Sequence, residues 1–260
     1  MLIGMVGTAE LLCTLPLERG LASTVSVLLS SPKTDKNALN NDGRSPLTMA
    51  SYLGHVAALK TLLAADADVR IRGASDSIAA LSLALALGRE SAGTAMVEHG
   101  FVANAGDGDG SFGVLHWTAL MDHAVCAAAL VDAGADINAR SGRKDATPFL
   151  LAARAGSNGA LLALLRRGAS VDQTTNDGST ALHLAANSGE DMDDTVDILL
   201  RWGASEQTVD QQGSTPADVF TRLALGRVEA WPELERALEL LARAPADRAW
   251  RRRCWLAMLR

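Results

Sequence analysis

The sequence predicts an all-α repeat array, each unit a helix, a turn, a second helix and a loop. Two markers recurring at one period, and a composition suited to close helix packing, carry that prediction. The first marker is an apolar position shared by "RSPLTMASYLG" (44–54), "IAALSLALALG" (78–88), "FGVLHWTALMD" (112–122), "ATPFLLAARAG" (146–156) and "STALHLAANSG" (179–189). It falls on Leu47, Leu81, Leu115, Phe149 and Leu182, at steps of 34, 34, 34 and 33. The second falls on Asp66, Gly100, Gly134, Gly168 and Gly203, at steps of 34, 34, 34 and 35. Two independent markers keeping one period indicate a repeat array. Hydrophobic residues make up 48% of the chain but aromatics only 4%, so the core is built from Leu, Val and Ala, and the first and last of these are strong helix formers.

Each unit reads as two helices. Ser45, Thr147, Thr180 and Thr215 stand where an N-cap hydroxyl meets the orphan amides of a first turn. Pro46, Pro148 and Pro216 follow at the first helical position, where no amide hydrogen is needed. Gly54, Gly88, Gly156 and Gly189 end that helix in the left-handed conformation. The second helix carries apolar pairs such as Leu62–Leu63, Leu164–Leu165 and Leu199–Leu200, and Gly134, Gly168 and Gly203 stop it. "NNDG" and "TNDG" between units are turn signals. Residues 1–40 read as a degenerate capping repeat: Gly20 and Leu28–Leu29 keep the period, but Pro16 falls inside the expected first helix. "SPKTDKNALNNDG" then reads as a lengthened loop. Residues 41–230 form the array. In 231–260, "AWPELERALELLARAP" reads as a helix with Pro232 at its start, Leu234, Leu238 and Leu241 on one face, and Pro245 at its end.

These motifs resemble the ankyrin repeat family, whose pattern is T-P-L-H-x-A followed by G-A-D-V-N; "TALHLAA" and "GADINAR" are the best matches. The resemblance covers residues 8–225. It implies paired antiparallel helices in a curved ankyrin-repeat solenoid with hairpins projecting to one side, and protein binding through the concave face and hairpin tips. Several units depart from the pattern. Ala79–Ala80 and Gly113–Val114 replace Thr-Pro, Asp122 replaces the helix-ending glycine, and Ala217–Asp218 replaces Leu-His. Those units are expected to be locally less stable.

The charge balance narrows the partners. Net charge is −6. The last 18 residues hold six Arg against one Asp, which leaves −11 on the rest. An acidic body argues against nucleic acid, which demands clustered positive charge. Cys13, Cys126 and Cys254 are odd in number and lack metal-ligand spacing, which favours a reducing compartment; a cytoplasmic or nuclear monomer is expected. The apolar N-terminus has no basic residue ahead of it, unlike a secretory signal. No run of 18 uncharged apolar residues exists, so no stable membrane insertion is expected.

Candidate chemistry is thin. His116 and His183 occupy the His of T-P-L-H, which the resemblance makes structural, bonding adjacent loops. His55, His99 and His123 share no site-forming spacing. In "NAGDGDGSFG" (104–113) a calcium loop starting at Asp107 would need Gly and Glu where Phe112 and Thr118 stand, so a hairpin loop is expected. "EDMDD" (190–194) is expected to be a solvated loop carrying the extra residue of the longest step. No catalytic residue, cofactor or metal is predicted, and the chain is expected not to be an enzyme.

That leaves binding of an unidentified protein partner. In the family, the two positions before the helix-ending glycine face the concave side. Here they are Tyr52–Leu53, Ala86–Leu87, Leu120–Met121, Arg154–Ala155 and Asn187–Ser188. Leu53, Leu87 and Met121 predict an apolar stripe that turns polar at Arg154 and Asn187, with Arg44, Asp76, Phe112 and Lys144 on the outer edge. The competing reading is that longer hairpins or rotated helices cover these positions. The C-terminal "AWRRRCWLAMLR" (249–260) admits three roles. It is a capping helix packing Trp250 and Cys254 with Leu256 or Met258, a partner helix, or an anionic-membrane contact through residues 246–260. The function expected is a scaffold or adaptor. Three alternatives stay open. One is a substrate-recruiting adaptor of a ubiquitin ligase, although the Leu-Cys core and downstream prolines of a SOCS box are missing. The others are a peripheral membrane protein and the ankyrin part of a larger enzyme or channel.

Overall fold

Helix pairs follow one another along the chain, each built from the same short-range signals. The computed structural model describes residues 21–69, 71, 80–100, 112–141, 144–188, 192–225, 236 and 238–242. Two compact units divide the chain. One comprises residues 1–117 with 132–135, the other 118–131 with 136–260.

In the first unit lie α1 (Ala22–Leu29), α2 (Pro46–Leu53), α3 (Val56–Ala64), α4 (Ala80–Ala86) and α5 (Glu90–Glu98). Helices α2 and α4 pack side by side as an inner layer; α1, α3 and α5 stack behind them, with α3 and α5 closing antiparallel pairs on α2 and α4. Local chemistry sets the boundaries. The Ser45 hydroxyl accepts from the Thr48 amide at 3.2 Å, Pro46 begins α2, and Gly54 ends it at φ 74°. Asp66, where other units have glycine, is held at φ 56°, a region Asp tolerates better than most residues. The Ala67 amide then reaches back to the Leu62 carbonyl at 3.1 Å, closing the helix end. Leu47, Leu59, Leu62, Leu81, Leu85 and Met96 are at most 1% exposed. Helix α1 packs on α3 through Val25, while its expected core pair Leu28–Leu29 is only half-buried. Pro16 and Gly20 lie outside the described residues.

Helix α6 (Val114–Leu120) runs from the first unit into the second. There follow α7 (Ala124–Asp132), α8 (Pro148–Ala155), α9 (Asn158–Arg166), α10 (Ala181–Ser188), α11 (Asp193–Arg201) and α12 (Pro216–Leu225). In the second unit α8, α10 and α12 stack as the inner layer and α9 packs on α11 as the outer one. Phe149, Leu161, Leu164, Leu182 and Leu199 are fully buried between them. Residues 238–242 are helical, with Leu241 buried, and Arg236 pairs with Asp193 at 3.0 Å. Pro232, Leu234, Pro245 and the whole segment 246–260, with Trp250 and Cys254, lie outside the described residues.

One loop expectation is corrected. Asp193 and Asp194 are not loop but the first turn of α11, behind a buried Met192. Carboxylates at a helix N-terminus are stabilised by its exposed amides, so an acidic run at that place extends the helix instead of preceding it. Glu190 and Asp191 lie outside the described residues.

Hairpins join the units. Ser141 and Ala146 exchange both backbone hydrogen bonds, at 3.0 and 2.9 Å, and Thr174 bridges Thr180. The tips are sewn to one another. The Asn176 amide donates to the Lys144 carbonyl at 3.0 Å, and the Gln211 amide to the Asp177 carbonyl at 3.1 Å.

Candidate protein-binding surface

Two departures from the repeat pattern, Asp122 and Asp218, make hydrogen bonds of their own, and the histidines of the pattern make theirs. His183 Nδ1 accepts from the Thr180 amide at 3.2 Å, and Nε2 lies 2.9 Å from the Ser214 carbonyl. A carbonyl only accepts, so Nε2 carries the proton and Nδ1 is the acceptor. Both nitrogens are committed, which is the structural role expected of this residue. His116 does the same locally: its Nδ1 accepts from the Gly113 amide at 3.2 Å. At the corresponding place in the last unit stands Asp218. Its Oδ2 accepts from the Thr215 amide at 2.8 Å and the Thr215 hydroxyl at 2.7 Å, and its own amide donates back to that hydroxyl at 3.2 Å. This reciprocal closure is a capping box, and the Thr215 hydroxyl bond holds Asp218 below its ordinary carboxylate range.

Asp122 likewise stands in for glycine, at φ 56°. Its Oδ1 accepts from the Ala160 amide at 2.7 Å, in the first turn of α9. The residue directly before that helix, Ser157, makes no side-chain cap, so the capping group comes from the preceding repeat. In two of the departing units, then, Asp122 and Asp218 supply hydrogen bonds of their own.

The predicted surface residues fall into three groups. Tyr52, Leu87 and Met121 are exposed, at 40%, 43% and 42%. Leu53 and Leu120, at the C-terminal ends of α2 and α6, are half-buried. Arg154 and Asn187 are exposed on α8 and α10. Within the first unit, Tyr52 lies in the last turn of α2 and Leu87 directly follows the adjacent α4. Arg44 is half-buried and places its guanidinium 4.7 Å over the Tyr52 ring, a cation–π contact. Phe112 is half-buried, its ring 5.8 Å from both His116 and Trp117; it serves its own turn. Asp76 lies outside the described residues.

Lys144 is exposed and pairs with Asp177 at 3.0 Å. The Thr175 hydroxyl holds the Asp177 carboxyl well below its ordinary range; burial opposes it, and Lys144 and Ser179 add to the lowering. Lys144 and Asn187 share a recess with Asp177, Asp210, Gln212 and Arg222. Sequence reasoning missed Arg222, although it sits 35 residues after Asn187 and continues the same row. Among the described residues no three His, Cys, Asp or Glu side chains group as metal ligands, and no helix is long and apolar enough to cross a membrane.

Comparison with known proteins gives two family matches: the ankyrin repeat over residues 42–74 and the three-copy ankyrin repeat over residues 115–211. A putative ankyrin repeat protein of Fowlpox virus (strain NVSL), FPV031, is 40% identical over 89 residues, covering 34% of this chain and 26% of the viral protein. The human ASB11 ankyrin repeat domain is similar in structure, with a TM-score of 0.69 at 23% identity, covering 88% of this chain and 96% of that one. So is the ankyrin repeat domain of Bcl-3, a member of the IkappaB protein family, at 0.66 and 21%, covering 92% and 99%. A chain from the complex of the Bdellovibrio bacteriovorus endopeptidase Bd0816 with immunity protein Bd3460 scores 0.50 at 20%, covering 90% and 97%. At these identities the structural likeness speaks to the fold.

Proposed function

We propose, since this chain belongs to the ankyrin repeat family, that it is a non-enzymatic scaffold or adaptor. It grips a polypeptide partner with the ends of its inner helices and its hairpin tips. Ankyrin repeats are in general protein–protein interaction modules. The observation that carries the finer reading is in the first unit. Tyr52 and Leu87 stand 40% and 43% exposed at the ends of two adjacent inner helices, while Leu47, Leu81 and Leu85 of the same helices are buried. Neighbouring exposed apolar side chains of this size favour contact with another protein. The non-enzymatic part is supported by how the polar groups are used. His183 bridges two loops, and Asp177 and Asp218 close turns.

The test is affinity purification with quantitative mass spectrometry on the full chain and on a Tyr52→Glu, Leu87→Glu variant whose helicity matches wild type by circular dichroism. Partners captured by wild type should be depleted on the variant. Full retention on a folded variant rejects this surface.

A further inference from the structure

In the second unit a recess of about 210 Å³ lies between the hairpin tips and the inner helices α10 and α12. That is smaller than the roughly 300–1,000 Å³ of small-molecule pockets and suits one side chain or chain end. Leu184 and Val219 line it with apolar surface, and the rest of the lining is polar.

Most polar groups there are already committed. Lys144 is neutralised by Asp177 at 3.0 Å. Asp177 also accepts from the Thr175 hydroxyl and the Ser179 amide. Asp210 Oδ1 accepts from the Gln212 and Ser214 amides, both at 2.9 Å. Arg222 differs. Its Nη2 donates to the Ser214 hydroxyl at 2.7 Å, and among the described residues no carboxylate lies within ion-pair distance of its guanidinium. Asp218, one turn earlier, acts on it through space, while its Oδ2 accepts from Thr215.

Ser214, which aims Arg222, is itself fixed: Asp210 holds its amide and His183 its carbonyl. A guanidinium has five N–H donors in a rigid fork, and this one is pre-aimed by a neutral hydroxyl using one of them. The carboxamides of Asn187 and Gln212 stand in the same recess and can donate to the same acceptor.

We infer that this recess is a carboxylate receptor: Arg222 takes a carboxylate of the bound polypeptide, with Asn187 and Gln212 completing its hydrogen bonds and Leu184 and Val219 receiving the stem. A carboxylate is acceptor-only and matches the fork with two parallel bonds. The group is an Asp or Glu side chain or a chain terminus. The inference rests on the protein-binding reading above and names the group the partner must present.

The test uses the full chain as bait for a library of random dodecapeptides displayed with free C-termini. Selected peptides are then synthesised with each acid changed to its amide, Glu→Gln or Asp→Asn, or with the terminus amidated, which separates the two carboxylate sources. One neutralisation should weaken binding to wild type about tenfold or more and leave binding to a folded Arg222→Gln variant unchanged. Arg222→Lys should fall between them, since it keeps the charge and loses the fork. Equal weakening on wild type and Arg222→Gln, or selected peptides indifferent to every neutralisation, overturns the receptor. Peptides that lose affinity for Tyr52→Glu, Leu87→Glu but ignore Arg222→Gln sink the receptor alone. No selection by wild type sinks the binding reading as well.

Discussion

Replacing Asp122 with alanine removes a helix cap supplied across repeats, and its cost can be worked from one hydrogen bond and one backbone angle. Asp122 Oδ1 accepts from the Ala160 amide at 2.7 Å. Loss of such a capping bond costs about 1 kcal/mol, and loss of the negative charge at a helix N-terminus a further 0.3–1 kcal/mol or so. Asp122 also sits at φ 56°, where alanine is penalised by about 1 kcal/mol. The sum is about 2–3 kcal/mol. Asp122→Gly keeps the backbone comfortable and loses only the cap, about 1–2 kcal/mol by the same terms. Asp122→Asn keeps an acceptor and should cost under about 1 kcal/mol. A repeat array need not unfold in one step, so urea midpoints by circular dichroism should be paired with hydrogen exchange read at Ala160. With a slope of about 1–3 kcal/mol per molar urea, alanine should lower the midpoint by roughly 1 M and the Ala160 amide should lose protection. Gly159→Ala should act on the same contact, because a Cβ there would meet the Asp122 carboxylate at 3.0 Å. If Asp122→Ala unfolds at the wild-type midpoint with Ala160 still protected, the cross-repeat cap is refuted.

Two further outcomes follow from the second unit. His183→Ala orphans the buried Thr180 amide, costing about 1–3 kcal/mol, and leaves the Ser214 carbonyl with the Asp210 amide as its remaining donor at 3.0 Å, so exchange at residues 209–214 should quicken. His183→Asp should restore only the Thr180 end, as Asp218 does at Thr215, so full recovery of the hairpin would contradict the assignment. The Asp177 carboxyl is depressed from its ordinary 3.8, so the unfolded chain binds the proton more readily. Its contribution is therefore complete above the ordinary value and fades as pH falls from about 4 toward the lower folded value. Asp177→Asn should flatten the acid limb of stability measured by urea midpoints from pH 7 to pH 3. A limb as steep as wild type counts against it.

The periodic signals carried the architecture because they are local. Ser45 and Thr147 cap helices from three residues away, and a cap, a proline and a left-handed stop need only neighbours in sequence. Asp66 was legible for the same reason: its position in the period required the left-handed conformation it adopts. The contact from Asp122 to Ala160 spans 38 residues, and no local pattern distinguishes a capping aspartate from a merely exposed one. Asp193 and Asp194 were misread because an acidic run suits both a solvated loop and a first helical turn, and only the buried Met192 before them decides. Among the candidate surface residues, register put Leu53, Leu87 and Met121 in one stripe; Leu87 and Met121 are exposed, while Leu53 is half-buried and Tyr52 beside it is the exposed one. That Phe112 stacks on His116 could not be anticipated, since it depends on the turn of the loop. Arg222 was within reach of the same register and simply lay one repeat beyond Asn187.

The seam between hairpin tips has a main-chain layer: Asn176 to Lys144 and Gln211 to Asp177 are amide-to-carbonyl bonds, to which the Gln211 and Arg140 side chains add bonds to the Asn176 and Thr174 carbonyls at 2.9 and 3.1 Å. The main-chain bonds are indifferent to side-chain identity. The exposed pair Lys144–Asp177 lies on top of that seam, and ion pairs of this kind contribute about 0–1 kcal/mol. At Lys144, cohesion is carried by the main chain and recognition by the side chain. A substitution at Lys144 can change what the surface prefers without breaking the main-chain bonds of the tips that display it, so a chain of this build can drift toward new partners through changes that selection on folding would hardly notice.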